Sequence, residues 1–208
     1  MNNDPSGIRK RRPRIAFWGV ILVLVAGLWL FLRQLPGDPE RPMIEVARPY
    51  LTLRSGRLYH GPEKRTFTGF LVERYPGGLL KSRSVVSNGV LWGLSEGWHT
   101  NGVLQVQERF VQGVSDGLRT KWHENGQKAS EVPIVKGKLH GTFQRWDEQG
   151  RLMESLELKN GEPDGVSMAW HPSGALKTRM VMANGKVVEK MNWKDGEAPV
   201  NAVKAAKP

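Results

Sequence analysis

His99, His123 and His171 each follow a tryptophan and keep a common step of 24 residues, with Asp147 standing at the missing place in the series. Regularly spaced imidazoles raise the question of a metal site. If each belongs to one β-hairpin of a stacked series, equivalent positions are two strands, or about 9.6 Å, apart. Ligands of one zinc ion must each sit about 2 Å from it. These histidines therefore cannot share an ion, and they are expected to be turn residues. His60 and His140 lie outside the series and have no second ligand at helical or hairpin spacing. No metal and no cofactor is expected.

The tryptophans beside them, Trp98, Trp122, Trp146 and Trp170, keep the same step. Aromatic faces at regular intervals can stack sugars or bases. Their place on the apolar side of the strands makes core the better reading. Glu108, Glu154 and Glu157 could pair across strands, but no pocket is implied around them and they read as surface or edge charges. The stretch GLSEG, residues 93–97, has the look of a nucleophile elbow. It is set aside as not fitting the elbow's Gly-x-Ser-x-Gly order; the abundant glycines of the chain follow the repeat period instead of a loop motif, and no HExxH or phosphate-cradling loop occurs. Cysteine is absent, which removes disulfides, thiolate catalysis and Cys-ligated zinc. A non-enzyme is expected, with no catalytic residue to name.

The elements that carry these residues repeat with them. One glycine series falls at Gly69, Gly93, Gly117, Gly141 and Gly165; another at Gly78, Gly102, Gly126, Gly150 and Gly174; a third at Gly89, Gly113, Gly137, Gly161 and Gly185. Repetition at a fixed period governs the rest of the reading. Within a unit, even-numbered positions carry the apolar residues, as in Leu118, Trp122, Val132 and Ile134, or Val166, Met168, Trp170, Leu176, Met180 and Met182. Alternation means strand, with one face buried. Odd positions carry Arg119, Lys121, Arg145, Lys177 and Arg179, a solvated basic face and the candidate binding surface.

Between the strands lie WHTNG, WHENG, WDEQG, WHPSG or, in the first unit, RYPGG, each closing on a glycine suited to a hairpin turn. The third glycine series, in SNG, VQG, VKG, KNG and ANG, turns the chain into the next hairpin. A lone hairpin is marginal in water, so the units must stack. The expected fold is all-β: an elongated, single-layer antiparallel ribbon of 24-residue hairpins over residues 56–197, with the Trp and Leu rows forming one strip of core. Decayed copies at the ends, LRSGRLYHGPEKRTFTG before Gly69 and KVVEKMNWKDG after Gly185, would cover the terminal edges.

The pattern Gly-x4-Trp-His-x-Asn-Gly-x-Leu, a strand, then Gly-x-x-x-Gly resembles the variant MORN repeat, a family that includes bacterial proteins labelled antitoxin components. The resemblance covers roughly residues 56–197 and implies a β-hairpin array used for interaction or scaffolding, with no single ligand or reaction. Arg74 at the first Trp position, Lys128 at a Leu position and Pro133 inside a strand depart from it; Pro133 removes a ladder donor and predicts a bulge or interruption.

The chain outside the repeats is of other kinds. Residues 1–14 hold Arg9, Lys10, Arg11, Arg12 and Arg14 against one acid and read as a basic cytoplasmic arm. Ile15 to Leu32 is an 18-residue stretch without a charge. As a helix it would reach about 27 Å, close to the hydrocarbon thickness of a bilayer, so residues 15–33 are expected to be a transmembrane anchor helix. No small-x-small cleavage pattern follows, which favours an uncleaved anchor over a signal peptide. The basic arm stays inside by the positive-inside rule, making a single-pass membrane protein whose array is extracytoplasmic, periplasmic or outside. Residues 34–55, with prolines at 36, 39, 42 and 49, are expected to be an extended spacer, and residues 198–208 a flexible tail.

The net charge is +11, of which the first 33 residues supply +5. The remaining +6 is too diffuse for a nucleic-acid site, and no nucleic acid is expected. The expected function is non-catalytic: a membrane-anchored interaction or scaffolding module whose partner is another envelope protein. The alternative is recognition of an anionic lipid surface or an acidic polysaccharide by the basic strand face.

Overall fold

The computed structural model describes residues 43–61 and 65–197. Sixteen strands form in chain order: β1 (Glu45–Ala47), β2 (Leu51–Arg54), β3 (Arg57–His60), β4 (Gly69–Arg74), β5 (Leu80–Ser87), β6 (Val90–Trp98), β7 (Leu104–Val111), β8 (Val114–Ser115), β9 (Gly117–Trp122), β10 (Lys128–Val135), β11 (Lys138–Leu139), β12 (Gly141–Trp146), β13 (Leu152–Lys159), β14 (Glu162–Trp170), β15 (Leu176–Ala183) and β16 (Lys186–Asn192). The fold is all-β, as the alternation predicts. Fourteen strands make one sheet in the order β1-β4-β5-β6-β7-β9-β10-β12-β13-β14-β15-β16, with the short β8 paired to β7 and β11 to β10, and β2 with β3 makes a separate two-stranded sheet.

The sheet is mixed, where a purely antiparallel ribbon was expected. β1 runs parallel to β4, with Val46 opposite Leu71. Residues 45–54 lie within the stretch expected as a spacer, yet they are strand around a 3-10 turn at Arg48–Tyr50. Their apolar residues supply the reason: Val46 and Leu51 bury themselves with Leu58, Phe67 and Val86 in the main core cluster. Covering the first edge of the sheet removes unpaired backbone groups from solvent. The expected transmembrane helix, the basic arm and the tail lie outside the described residues. Among the described residues no helix is long and apolar enough to cross a membrane.

Two turn types alternate along the array. At the third glycine series both central residues have positive φ, for example Asn160 at 55° and Gly161 at 94°, the signature of a two-residue type I′ hairpin. At the other end of each hairpin, the register slips by one residue just before the tryptophan: Arg145 pairs with Glu154, but Trp146 pairs with Leu152. Met153 is left over. The same slip leaves Lys81, Gln105, Ala129 and Lys177 as the extra residue in the other units.

This repeated β-bulge overturns the expectation of a single core strip. Directly paired residues share a face, and a one-residue insertion inverts the parity of everything beyond it. Leu118 is opposite Pro133, while Ile134 is opposite Gly117. Even positions on the two strands of a hairpin therefore face opposite ways. One apolar strip, with Val86, Ile134 and Leu158, runs near the type I′ turns on one face. The second holds the tryptophans and Leu176 near the other turns on the opposite face, hereafter the Trp face. Leu176 is 0% exposed, whereas Leu118, expected in the core, is 48% exposed.

Candidate functional site

The residues that looked most like chemistry are spent on joining one hairpin to the next. His99 Nε2 lies 2.9 Å from the Trp122 carbonyl oxygen, and His123 and His171 repeat the contact at 3.0 Å to Trp146 and Trp193. A carbonyl only accepts, so Nε2 carries the proton and donates. Tyr75 Oη donates to the Trp98 carbonyl at 2.8 Å in the first unit, where tyrosine replaces histidine. Asn101 and Asn125 do two jobs: Oδ1 accepts from the N–H two residues on, and Nδ2 donates to Glu124 O at 2.8 Å and Glu148 O at 2.7 Å. The histidines are turn residues, as expected, and among the described residues no cluster of three metal-capable side chains forms.

Asp147 breaks the series. Its carboxylate accepts from the backbone N–H of Gln149 and Arg151 and pairs with Arg151 Nε at 2.8 Å. Any desolvation is outweighed by these contacts with Arg151 and Gln149, which hold its carboxyl below the usual Asp range.

At the opposite turns a second ladder runs through the backbone. The N–H of Gly89, Gly113, Gly137, Gly161 and Gly185 donates to the carbonyls of Phe67, Leu91, Ser115, Leu139 and Pro163 at 2.7 to 3.0 Å. Successive hairpins are thus fastened at the type I′ end throughout, and at the Trp end wherever Tyr75, His99, His123 or His171 supplies the rung. Side-chain rungs of this kind were legible as a period in the sequence, but their partner atoms were not.

The glycine series divide by role. Gly78, Gly102, Gly126, Gly150 and Gly174 have positive φ in the Trp-side turns, and a Cβ at Gly174 would meet open space. Gly165 has φ +120°, and a Cβ there would collide with Glu157, whose Cβ would stand 2.9 Å away. Gly69, Gly93, Gly117 and Gly141 mark the same junction, also at positive φ. There each hairpin passes to the next through a wide interruption of the ladder. Pro133 is tolerated because of it: its carbonyl accepts from His140 N at 3.0 Å, so its missing N–H would have faced the same interrupted neighbour.

The four tryptophans of the series are half-buried on the Trp face and alternate with the residues they pair: Leu104, Lys128, Leu152 and Leu176. Lys128 fills its leucine place by laying its chain toward Trp146, with Nζ 5.2 Å from the ring centre and 2.7 Å from Glu131 Oε2. Arg74, in the first tryptophan place, reaches Gly78 O at 3.1 Å.

The five residues of the expected basic face do not share one. Arg119, Lys121 and Arg145 pair with Val132, Ser130 and Glu154 on the face opposite the tryptophans. Arg179 pairs with Met168 on the Trp face, and Lys177 is an extra bulge residue. Three of them are ion-paired: Arg119 with Glu108 at 2.6 Å, Arg145 with Glu154 at 3.1 Å and Arg179 with Glu189 at 3.4 Å. Glu108 also accepts from Ser115 Oγ. Burial alone would raise its carboxyl, but Arg119, Ser115 and the charge of Lys121 outweigh that and hold it below the usual range.

GLSEG does spell Gly-x-Ser-x-Gly. Ser95, however, lies inside β6, paired with Ser84 and 2.7 Å from its Oγ, not on the strand-to-helix turn that exposes a nucleophile.

Residues 115–136 match the model of the MORN repeat variant, so the chain carries a repeat of this type, as its pattern predicts. No curated protein matches the sequence. Among solved structures, the Crystal Structure of TarM is similar over 48% of this chain and 19% of that one, at 14% identity and a TM-score of 0.32. A point mutant of S. aureus TarM in complex with Fondaparinux, alpha-GlcNAc-glycerol and UDP gives 46%, 19%, 14% and 0.31. The chain spans about a fifth of the length of these structures, 19% in each.

Proposed function

We propose that this chain is a non-catalytic binding or scaffolding module, held at a membrane by residues 15–33 and presenting the MORN-type array to a protein partner of the cell envelope. The observation that carries this reading is the fate of the chemical residues: histidines, asparagines and tryptophans are consumed in stacking hairpin on hairpin. What they leave for a ligand is the two broad faces of a sheet. Binding on such a surface needs packed side chains and a few charges, not a reaction centre.

The alternative, recognition of anionic lipid or acidic polysaccharide by Arg119, Lys121, Arg145, Lys177 and Arg179, is supported by the exposed Lys121 and Lys177. It is weakened by the ion pairs of the three arginines and their division between faces.

The test is crosslinking of the full-length protein in its own cells, followed by purification with and without residues 56–197. A protein recovered only with the array, and retained at high salt, supports the protein-binding reading. Recovery on anionic vesicles that falls steeply with salt favours the alternative, because screening acts on exposed charges. Loss of neither association on deleting the array overturns both.

A further inference from the structure

The repeat offers an internal comparison, because a position free of structural duty can be read against its counterparts in the same sheet. On the Trp face, near the type I′ turns, Leu94, Val114, Leu118 and Val135 are 47%, 46%, 48% and 47% exposed. Each is paired within the same stretch of sheet, Leu94 with Arg109, Val114 with Val111, Leu118 with Pro133 and Val135 with Lys138, and β7 with Arg109 runs between β6 and β9. They come from β6, β8, β9 and β10, with β7 lying between β6 and the β8 and β9 segments that pair with it, and none lies in a protruding loop.

One unit further on, the places of Val114, Leu118 and Val135 are polar, while that of Leu94 is held by Leu118 itself. Leu118 is replaced by Thr142, Val114 by Lys138, Pro133 by Glu157 and Val135 by Lys159. The hairpins stack equally well there, so the apolar residues are not required by the array. Exposed apolar groups gathered on one part of a soluble surface mark an interaction site. Its exposed charges are mostly basic: Arg109 within the patch and Lys136 and Lys138 at its edge have no ion-pair partner among the described residues, against one half-buried acid, Asp116, between Val114 and Leu118.

We infer that this patch of β6 to β10 docks a partner protein through an acidic segment bearing exposed apolar side chains. Its leucines and valines cover the apolar floor, and carboxylates meet Arg109, Lys136 and Lys138. Residues 1–14, which are basic, and residues 198–208, which carry two lysines and no acid, do not suit it. A lipid surface does not suit it either: strand-borne side chains stand level with their neighbours and cannot reach 5–10 Å into a bilayer, roughly the depth at which interfacial apolar faces lie. The inference rests on the protein-binding reading above and gives it a location.

A photoreactive phenylalanine analogue is placed at position 118, at its counterpart 166, or at 121 on the opposite face of the full-length protein, and crosslinked in cells. The expected result is an adduct from 118 alone, its attached peptide carrying both apolar residues and carboxylates. The yield should fall about tenfold with Leu94→Thr and Val135→Thr together, or with Arg109→Glu, but not with Thr142→Val, as expected of residues at the centre of an interface. Threonine keeps strand propensity, so a loss of yield with an unchanged thermal transition reports the surface and not the fold. An adduct from 121 instead of 118 overturns the patch and leaves the protein-binding reading standing. Lipid adducts, adducts between copies of this chain, or none from any position overturn both.

Discussion

His123 Nε2 lies 3.0 Å from the carbonyl oxygen of Trp146, a residue of the next hairpin 23 positions along the chain. The contact ties one unit to its successor from just beyond the end of β9 to the last residue of β12. Removing it with His123→Ala leaves the Trp146 carbonyl to water and should lower unfolding stability by about 1 kcal/mol. A urea midpoint shifted down at constant slope is the expected readout, and an unchanged midpoint would show that the rung contributes nothing.

Gly165 and Gly174 both have positive φ, yet they should respond differently to alanine. Gly174→Ala meets no neighbour and suffers only the backbone penalty, about 1–2 kcal/mol. Gly165→Ala adds a collision with Glu157 and should lose more. The thermal midpoint should therefore fall further for Gly165→Ala; equal shifts would mean that Glu157 moves aside without cost.

Leu176 and Leu118 share the Trp face but not their surroundings, since Leu176 is paired with Trp170 and Leu118 lies past the bulge toward the type I′ turns, opposite Pro133. Leu176→Ala empties a fully buried site and should cost about 2–5 kcal/mol. Leu118→Ala, at a half-exposed site, should stay within about 0.5 kcal/mol. Similar losses for both would restore the single-strip view of the core.

Glu108 links stability to pH. Its folded carboxyl is held below the ordinary Glu value of about 4.3, so its contribution is present above that value and is lost as pH falls through the folded value. Glu108→Gln should cost about 1–2 kcal/mol at neutral pH, and the gap to the parent should close at low pH. Denaturant midpoints of both proteins across the acid range test this; a gap that stays constant with pH removes the charge from the explanation.

Lys136 sits at φ 49° in a type I′ turn where three other units have asparagine. Asparagine tolerates this conformation better than lysine. Lys136→Asn should raise the thermal midpoint slightly, and a decrease would show that the lysine chain itself is needed there.

The period, the strands and both turns of each unit were legible before any coordinates, because glycine, Asn-Gly pairs and apolar alternation act on the backbone within a few residues. Pro133 likewise announced an interruption. The rungs from His99, His123 and His171 were visible only as a recurrence, since the atoms that receive them belong to another hairpin. The apolar residues near Val46 and Leu51 were hidden among prolines that read as a spacer, and only packing on Val86 reveals them as part of the first edge.

What local sequence could determine was therefore the unit: its length, its turns and the need to stack. What only the assembled sheet decided was sidedness. A strand's face depends on counting residues from its partner, and the extra residue at Lys81, Gln105, Ala129, Met153 and Lys177 inverts that count. That inversion splits the expected basic face, turns Val132 and Ile134 away from Leu118, and leaves Leu118 exposed on the same face as Leu94, Val114 and Val135.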